Sequence, residues 1–90
     1  MEIEVSVNAL KKGKEIDITP KSASRAFKIS IRYNELYQRF EVFRHYYRTR
    51  KNEVEYHSRS IKEVADYMRS MYGVEIKIQN PNDSTKNQEA

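Results

Sequence analysis

Ile3, Val5 and Val7 are interleaved with Glu4, Ser6 and Asn8, the period-two pattern of a strand with one buried face. Lys11-Lys12-Gly13-Lys14 then reads as a turn, since Gly13 takes a positive φ at no steric cost. Ile16 and Ile18 resume the alternation. Residues 2–18 are therefore expected to form a hairpin that ends at Pro20, followed by the polar connector Lys21-Ser22-Ala23-Ser24. Phe27, Ile29, Ile31 and Tyr33 alternate strictly with Lys28, Ser30 and Arg32 and predict the clearest strand of the chain.

Residues 34–50 support two readings. Leu36, Phe40, Phe43 and Tyr47 follow a four-three-four spacing that suits an amphipathic helix capped by Asn34. The density of Tyr, Phe, Val and Thr favours a strand instead. Register arbitrates between them. Two-residue loops at Asn34-Glu35 and Lys51-Asn52 would set Tyr33 opposite Leu36, Ile29 opposite Phe40 and Phe27 opposite Val42. They would also pair Lys28 with Glu41, Arg50 with Glu53 and Arg48 with Glu55. Directly opposed charges of opposite sign stabilise a sheet, so the strand reading is preferred and the helix kept as its alternative.

Further along, Ser58 or Ser60 can cap a helix, and Glu63 follows Ser60 at the capping-box distance. Ile61, Val64, Ala65, Met68, Met71 and Tyr72 share one face over residues 60–72, and Gly73 stands where a left-handed terminator is wanted. Val74, Ile76 and Ile78 alternate once more as a short final strand. The expected class is α+β: an N-terminal hairpin and a three-stranded antiparallel meander packed on one C-terminal helix, then the final strand. One domain is expected over residues 1–79. Residues 80–90, with Pro81 and no large apolar side chain, are expected to be a disordered tail.

Composition narrows the function classes. With 90 residues and 38% hydrophobic content, the chain can build one modest core. The absence of cysteine rules out disulfides and thiolate metal sites. No apolar run reaches the roughly twenty residues of a membrane span, and the start Glu2-Ile3-Glu4-Val5 is unlike a signal peptide, so a cytoplasmic location is expected. Net charge is +4, but from Arg25 to Lys51 eight basic residues face only Glu35 and Glu41. A local excess of this kind attracts anionic surfaces, nucleic acid first among them.

Few groups are available for catalysis. On the assumed register His45 and His57 point to opposite sides of the sheet, which argues against a shared metal or acid–base site. Ser22, Ser24, Ser58 and Ser60 form no nucleophile elbow, and Gly13 and Gly73 are too far apart for a phosphate-cradling loop. A non-enzymatic protein without cofactor or metal is expected.

The segment from Arg39 to Arg59 reads RFEVFRHYYRTRKNEVEYHSR, with arginine interleaved among aromatic residues. Aromatic faces stack on unpaired bases, and guanidinium groups hold phosphate in a bidentate grip. A two-stranded ribbon also fits a DNA major groove. The expected nucleic-acid-binding set is Arg39, Phe43, Arg44, Tyr46, Tyr47, Arg48, Arg50 and Lys51. Arg25, Lys28 and Arg32 would extend the positive surface. The ribbon is expected to be apolar on both faces, with Phe40 and Val42 on one side and Phe43, Tyr47, Val54 and Tyr56 on the other. The expected partner of this ribbon is nucleic acid, DNA or RNA; the sheet-then-helix order of residues 37–72 resembles, in topology, small DNA-binding domains of the integrase arm-binding and plant AP2 types, in which a three-stranded sheet packs on one helix. The rival reading is a protein-interaction module, a small adaptor or inhibitor of the sort carried by viruses and mobile elements. There the same aromatic residues would centre a protein interface or a homodimer.

Overall fold

The computed structural model describes residues 2–20 and 25–79. In chain order the elements are β1 (Glu2–Ser6), α1 (Val7–Lys11), β2 (Ile16–Asp17), β3 (Phe27–Asn34), β4 (Arg39–Tyr46), β5 (Asn52–Ser58), α2 (Ile61–Tyr72) and β6 (Glu75–Gln79). A four-stranded antiparallel sheet runs β2-β3-β4-β5, and β1 and β6 form a separate two-stranded parallel pair. This is the α+β class with the expected meander, helix and closing strand. The tail over residues 80–90 and the connector from Lys21 to Ser24 lie outside the described residues.

The N-terminal segment departs from the expected hairpin. The alternation of Ile3 and Val5 stops at Ser6, whose side chain accepts a hydrogen bond from the Ala9 amide at 3.2 Å and so caps α1. Once the chain coils, Leu10 falls one helical turn after Val7 and is fully buried. β1 then finds its partner at the far end of the chain, with Ile3 beside Ile76 and Val5 beside Ile78. β2 adds to β3 instead, at Ile16–Ile31 and Asp17–Ser30. The Thr19 hydroxyl prolongs that ladder by accepting from the Ile29 amide at 3.0 Å.

One side of the main sheet is closed and the other is open. On the closed side Ile29, Ile31, Phe40 and Val42 pack with Val5, Leu10, Ile18, Val64, Met68 and Val74 in a single core. Each fully buried aliphatic side chain there contributes about 1.5–3 kcal/mol. α2 lies over this side as its capping signals require. The Ser60 side chain accepts from the Glu63 amide and Gly73 takes φ 68° to end the helix. The Glu63 carboxylate accepts from the Ser58 hydroxyl at 2.6 Å, and that oxygen in turn accepts from the Ser60 amide at 3.0 Å. Both serines thus share the cap.

The strand reading of residues 34–50 holds, but both hairpins turn later or earlier than two-residue loops would. Tyr33 faces Phe40, Arg32 faces Glu41 and Phe27 faces Tyr46 across β3 and β4. His45 faces Asn52 and Arg44 faces Glu53 across β4 and β5. Two-residue loops need one or two positive-φ residues, usually Gly or Asn. Here residues 35–38 and 47–50 form wider loops, each with one left-handed residue at its end, Gln38 at φ 53° and Arg50 at φ 63°. The Asn34 side chain accepts from the Tyr37 amide and braces the first of them. The expected pairs Lys28–Glu41, Arg50–Glu53 and Arg48–Glu55 are therefore replaced by Arg32–Glu41 and Arg44–Glu55 ion pairs.

A bulge between Val42 and Phe43 of β4, on the β5 side, shifts the register by one residue and reverses which side chains share a face. Val54 falls beside Phe43 on the open side, whereas Tyr56 stands opposite Val42 on the closed side. Tyr56 stacks on Tyr67 of α2 with ring centres 4.2 Å apart. The bulge also brings His57 opposite Glu41, so His45 and His57 share a face instead of pointing apart. They remain four strand positions from each other, and no trio of metal-ligating side chains occurs among the described residues. Among the described residues no helix is long and apolar enough to cross a membrane.

Candidate nucleic-acid interface

The eight basic residues of the Arg25–Lys51 stretch divide into two groups. Arg32 and Arg39 both bind the Glu41 carboxylate, at 2.8 and 2.7 Å, and Asn34 donates to it at 3.1 Å. Burial pushes the Glu41 pKa up, but these hydrogen bonds and the Arg32 charge outweigh it and hold the carboxyl below its ordinary value. Arg44 binds Glu55 at 2.7 Å under α2 and lies over the Phe27 ring at 4.6 Å. The remaining five, Arg25, Lys28, Arg48, Arg50 and Lys51, form no ion pair with any described carboxylate.

Topology gathers those five at one end of the sheet. Arg48 and Arg50 lie in the β4–β5 loop and Lys51 follows it, all exposed. The loop is closed by bonds from the Tyr46 amide to the Lys51 carbonyl at 2.9 Å and from the Arg50 amide to the Tyr46 carbonyl at 2.8 Å. The Tyr47 amide donates to the Ala26 carbonyl at 3.1 Å, which ties the loop to the turn that carries Arg25. Lys28 stands across from His45, which stands across from Asn52. Tyr47 is 53% exposed at the centre of this group, and its ring meets the His45 ring edge-on at 6.3 Å. A cleft of about 390 Å³ lined by Tyr46, Thr49, Lys51, Asn52 and Glu53 runs along the same tip.

Four of the expected site residues, Tyr47, Arg48, Arg50 and Lys51, thus meet at the tip. Tyr46 is beside them but packs edge-on against Phe27 at 5.2 Å and donates its hydroxyl to Glu53 at 3.0 Å. The other three lie elsewhere. Phe43 is only 2% exposed, covered on the open face by the Arg32 guanidinium 4.6 Å from its ring. Arg44 is on the closed face with Glu55, and Arg39 is at the far end of β4 with Glu41. Sequence reasoning did not separate free from paired arginines, because that depends on register. It also missed a cleft at the far end, lined by Tyr37, Arg39, His57 and Arg59.

Arg50 has a second distinguishing feature. A left-handed backbone costs a non-glycine residue roughly 1–2 kcal/mol, and arginine has none of the local hydrogen bonding that eases Asn or Asp into that region. A charged side chain is therefore carried at a position whose backbone favours glycine. No protein-family model, curated protein or solved structure matches this chain.

Proposed function

We propose that this chain is a small non-enzymatic nucleic-acid-binding protein that docks through the tip of its β4–β5 hairpin. The observation that carries the reading is the convergence of Arg25, Lys28, Arg48, Arg50 and Lys51, all free of described carboxylate partners, around the exposed Tyr47 ring. Arg48, Arg50 and Lys51 meet phosphates, and Arg25 and Lys28 extend the contact along the sheet end. Tyr47 offers a face for stacking on a base. The strained backbone of Arg50 supports the same reading, since local strain clusters where function requires a particular side chain.

Counterion release supplies the test. Five phosphate contacts give a log–log salt slope of about −4.5 on duplex DNA and a shallower one on single strands. Fluorescence anisotropy with labelled single-stranded DNA, duplex DNA and RNA at several salt concentrations measures it. Replacing Arg48 and Arg50 together with Ala should weaken binding and reduce the slope by about 2. An unchanged affinity in that double variant would remove the tip from the interface.

A second reading, a protein-interaction module, draws on the opposite loop, where Leu36 is 81% exposed beside the exposed Tyr37. Apolar side chains displayed at a hairpin tip suit insertion into a partner's pocket or a second copy of the chain. Light scattering after size exclusion separates the dimer form of this reading from a monomer, and Leu36→Asp should dissociate such a dimer.

A further inference from the structure

At the end of the sheet away from the basic tip, Tyr37, Arg39, His57 and Arg59 line a cleft of about 370 Å³. Its parts come from three segments: the β3–β4 loop, the start of β4, and the end of β5 where the chain turns into α2. The bulge between β4 and β5 is what places His57 on the open side, opposite Glu41, rather than under the helix.

Charge in the cleft is unbalanced. Glu41 is the carboxylate at its edge, and it is already shared between Arg32 and Arg39. The neighbouring Glu63 accepts from the Ser58 hydroxyl and keeps its negative charge. Arg59 is exposed and forms no ion pair with a described residue. Two guanidiniums and an imidazole therefore line a space in which Arg32, Arg39 and Arg59 outnumber the two carboxylates Glu41 and Glu63. Guanidinium forks match phosphate oxygens in geometry as well as charge.

The wall of the cleft also has a flat component. The Arg39 guanidinium lies 4.8 Å from the Tyr37 ring centre, which restrains the ring, yet Tyr37 remains 57% exposed. An exposed, restrained phenol ring next to guanidiniums can stack on a planar group while the cations hold an anion. The volume lies at the small end of the roughly 300–1,000 Å³ range of ligand pockets.

We infer that this cleft binds a phosphate monoester joined through a sugar to a planar base, as in a nucleoside monophosphate, with Arg39, Arg59 and His57 on the phosphate and Tyr37 against the base. Two sources share this chemistry: a free mononucleotide and the 5′-phosphorylated terminus of a nucleic-acid strand. The site does not depend on the basic tip being an interface. If both sites operate, the eight residues of β4 separate them by about 26 Å at the strand rise.

The test uses the full chain and isothermal titration with adenosine 5′-monophosphate, adenosine and inorganic phosphate, alongside anisotropy with one short oligonucleotide bearing either a 5′-phosphate or a 5′-hydroxyl. For a free nucleotide, adenosine 5′-monophosphate binds more tightly than inorganic phosphate or adenosine, and Arg59→Gln weakens it at least tenfold. For a strand terminus, the 5′-phosphorylated oligonucleotide binds more tightly than its 5′-hydroxyl twin, and Arg59→Gln abolishes the difference. In both cases Tyr37→Leu reduces affinity for the ring-bearing ligand and leaves inorganic phosphate unaffected. The Arg48→Ala/Arg50→Ala protein retains the Arg59-dependent effect even where its overall strand affinity falls. Arg59 and Tyr37 are exposed, and circular dichroism checks that their variants fold. The inference is overturned if neither phosphorylated ligand is preferred, or if Arg59→Gln binds as the wild type does.

Discussion

Glu41 and Glu55 present the same problem on opposite faces of one sheet, and the fold solves it differently on each. Both side chains are almost out of contact with water, at 1% and 8% exposure. Glu41, on the open face, draws two guanidiniums and an amide. Glu55, beneath α2, draws one guanidinium and two phenols. Arg44 donates at 2.7 Å, Tyr67 at 2.5 Å and Tyr72 at 2.9 Å. The contrast follows from solvation. A second guanidinium under the helix would be a desolvated, unmatched charge, whereas phenols satisfy the remaining lone pairs without adding one. The closed face spends its charges on holding helix to sheet, and the open face retains a positive balance.

Charge removal from the closed face should break this contrast most visibly. Glu55→Gln removes the ion pair with Arg44 and weakens both phenol bonds that tie α2 to the sheet, and should lower unfolding free energy by about 2–3 kcal/mol, the upper part of the range for hydrogen bonds to charged groups. Urea denaturation measures it. Glu41→Gln should cost less, about 1–2 kcal/mol, because its partners Arg32, Arg39 and Asn34 all lie within the β3–β4 hairpin and no bond between helix and sheet is lost. An equal or larger loss at Glu41 would mean that the open face is the more tightly coupled of the two.

Acid acts on both networks in the same direction. Burial raises the Glu55 pKa, but bonds from Tyr67, Arg44 and Tyr72 outweigh it, so both glutamates ionise below their ordinary value of 4.5. A carboxyl with a depressed folded-state pKa stabilises the fold fully above its unfolded pKa, and that contribution is lost as pH falls through the folded value. Stability should therefore decline on acidification below about pH 4.5, and the decline should be shallower in either Gln variant. Thermal melts from pH 7 to pH 3 test this. Burial and the bond to Glu55 push the Tyr67 hydroxyl well above its ordinary pKa, so it stays a donor through neutral and moderately alkaline pH. Tyr67→Phe removes that donor but keeps the stack on Tyr56, and should cost about 1 kcal/mol.

The smallest effect is expected at Arg50 and has the opposite sign. Arg50→Gly relieves the left-handed strain but gives the unfolded chain more freedom, for a net gain of up to about 1 kcal/mol. The same variant should bind nucleic acid less tightly than the wild type. Stability and affinity moving in opposite directions would mark Arg50 as retained for contact rather than for folding.

Legibility followed the range of the interactions. The strand over Phe27–Asn34 and the helix over Ile61–Tyr72 could be read directly, because alternation, the Ser60 cap and Gly73 act within a few residues. The basic stretch was legible as a stretch. Which of its arginines are free was not, since Arg44 meets Glu55 only through the bulge and Arg32 meets Glu41 only through the wider loop over residues 35–38. Phe43 reads as a candidate base platform by residue type, and burial under Arg32 removes its free face.

Local chemistry in the sequence by itself determined the α+β class, the meander, the capped helix and the surplus of positive charge between Arg25 and Lys51. Tertiary structure decided the pairing of β1 with β6, the conversion of residues 7–11 to a helix, and the sorting of arginines into paired and free. The physical reason is the two-residue period of a strand. A shift of one residue in loop or bulge exchanges every inward and outward side chain beyond it, so charge partners are set by packing across the sheet rather than by order along the chain.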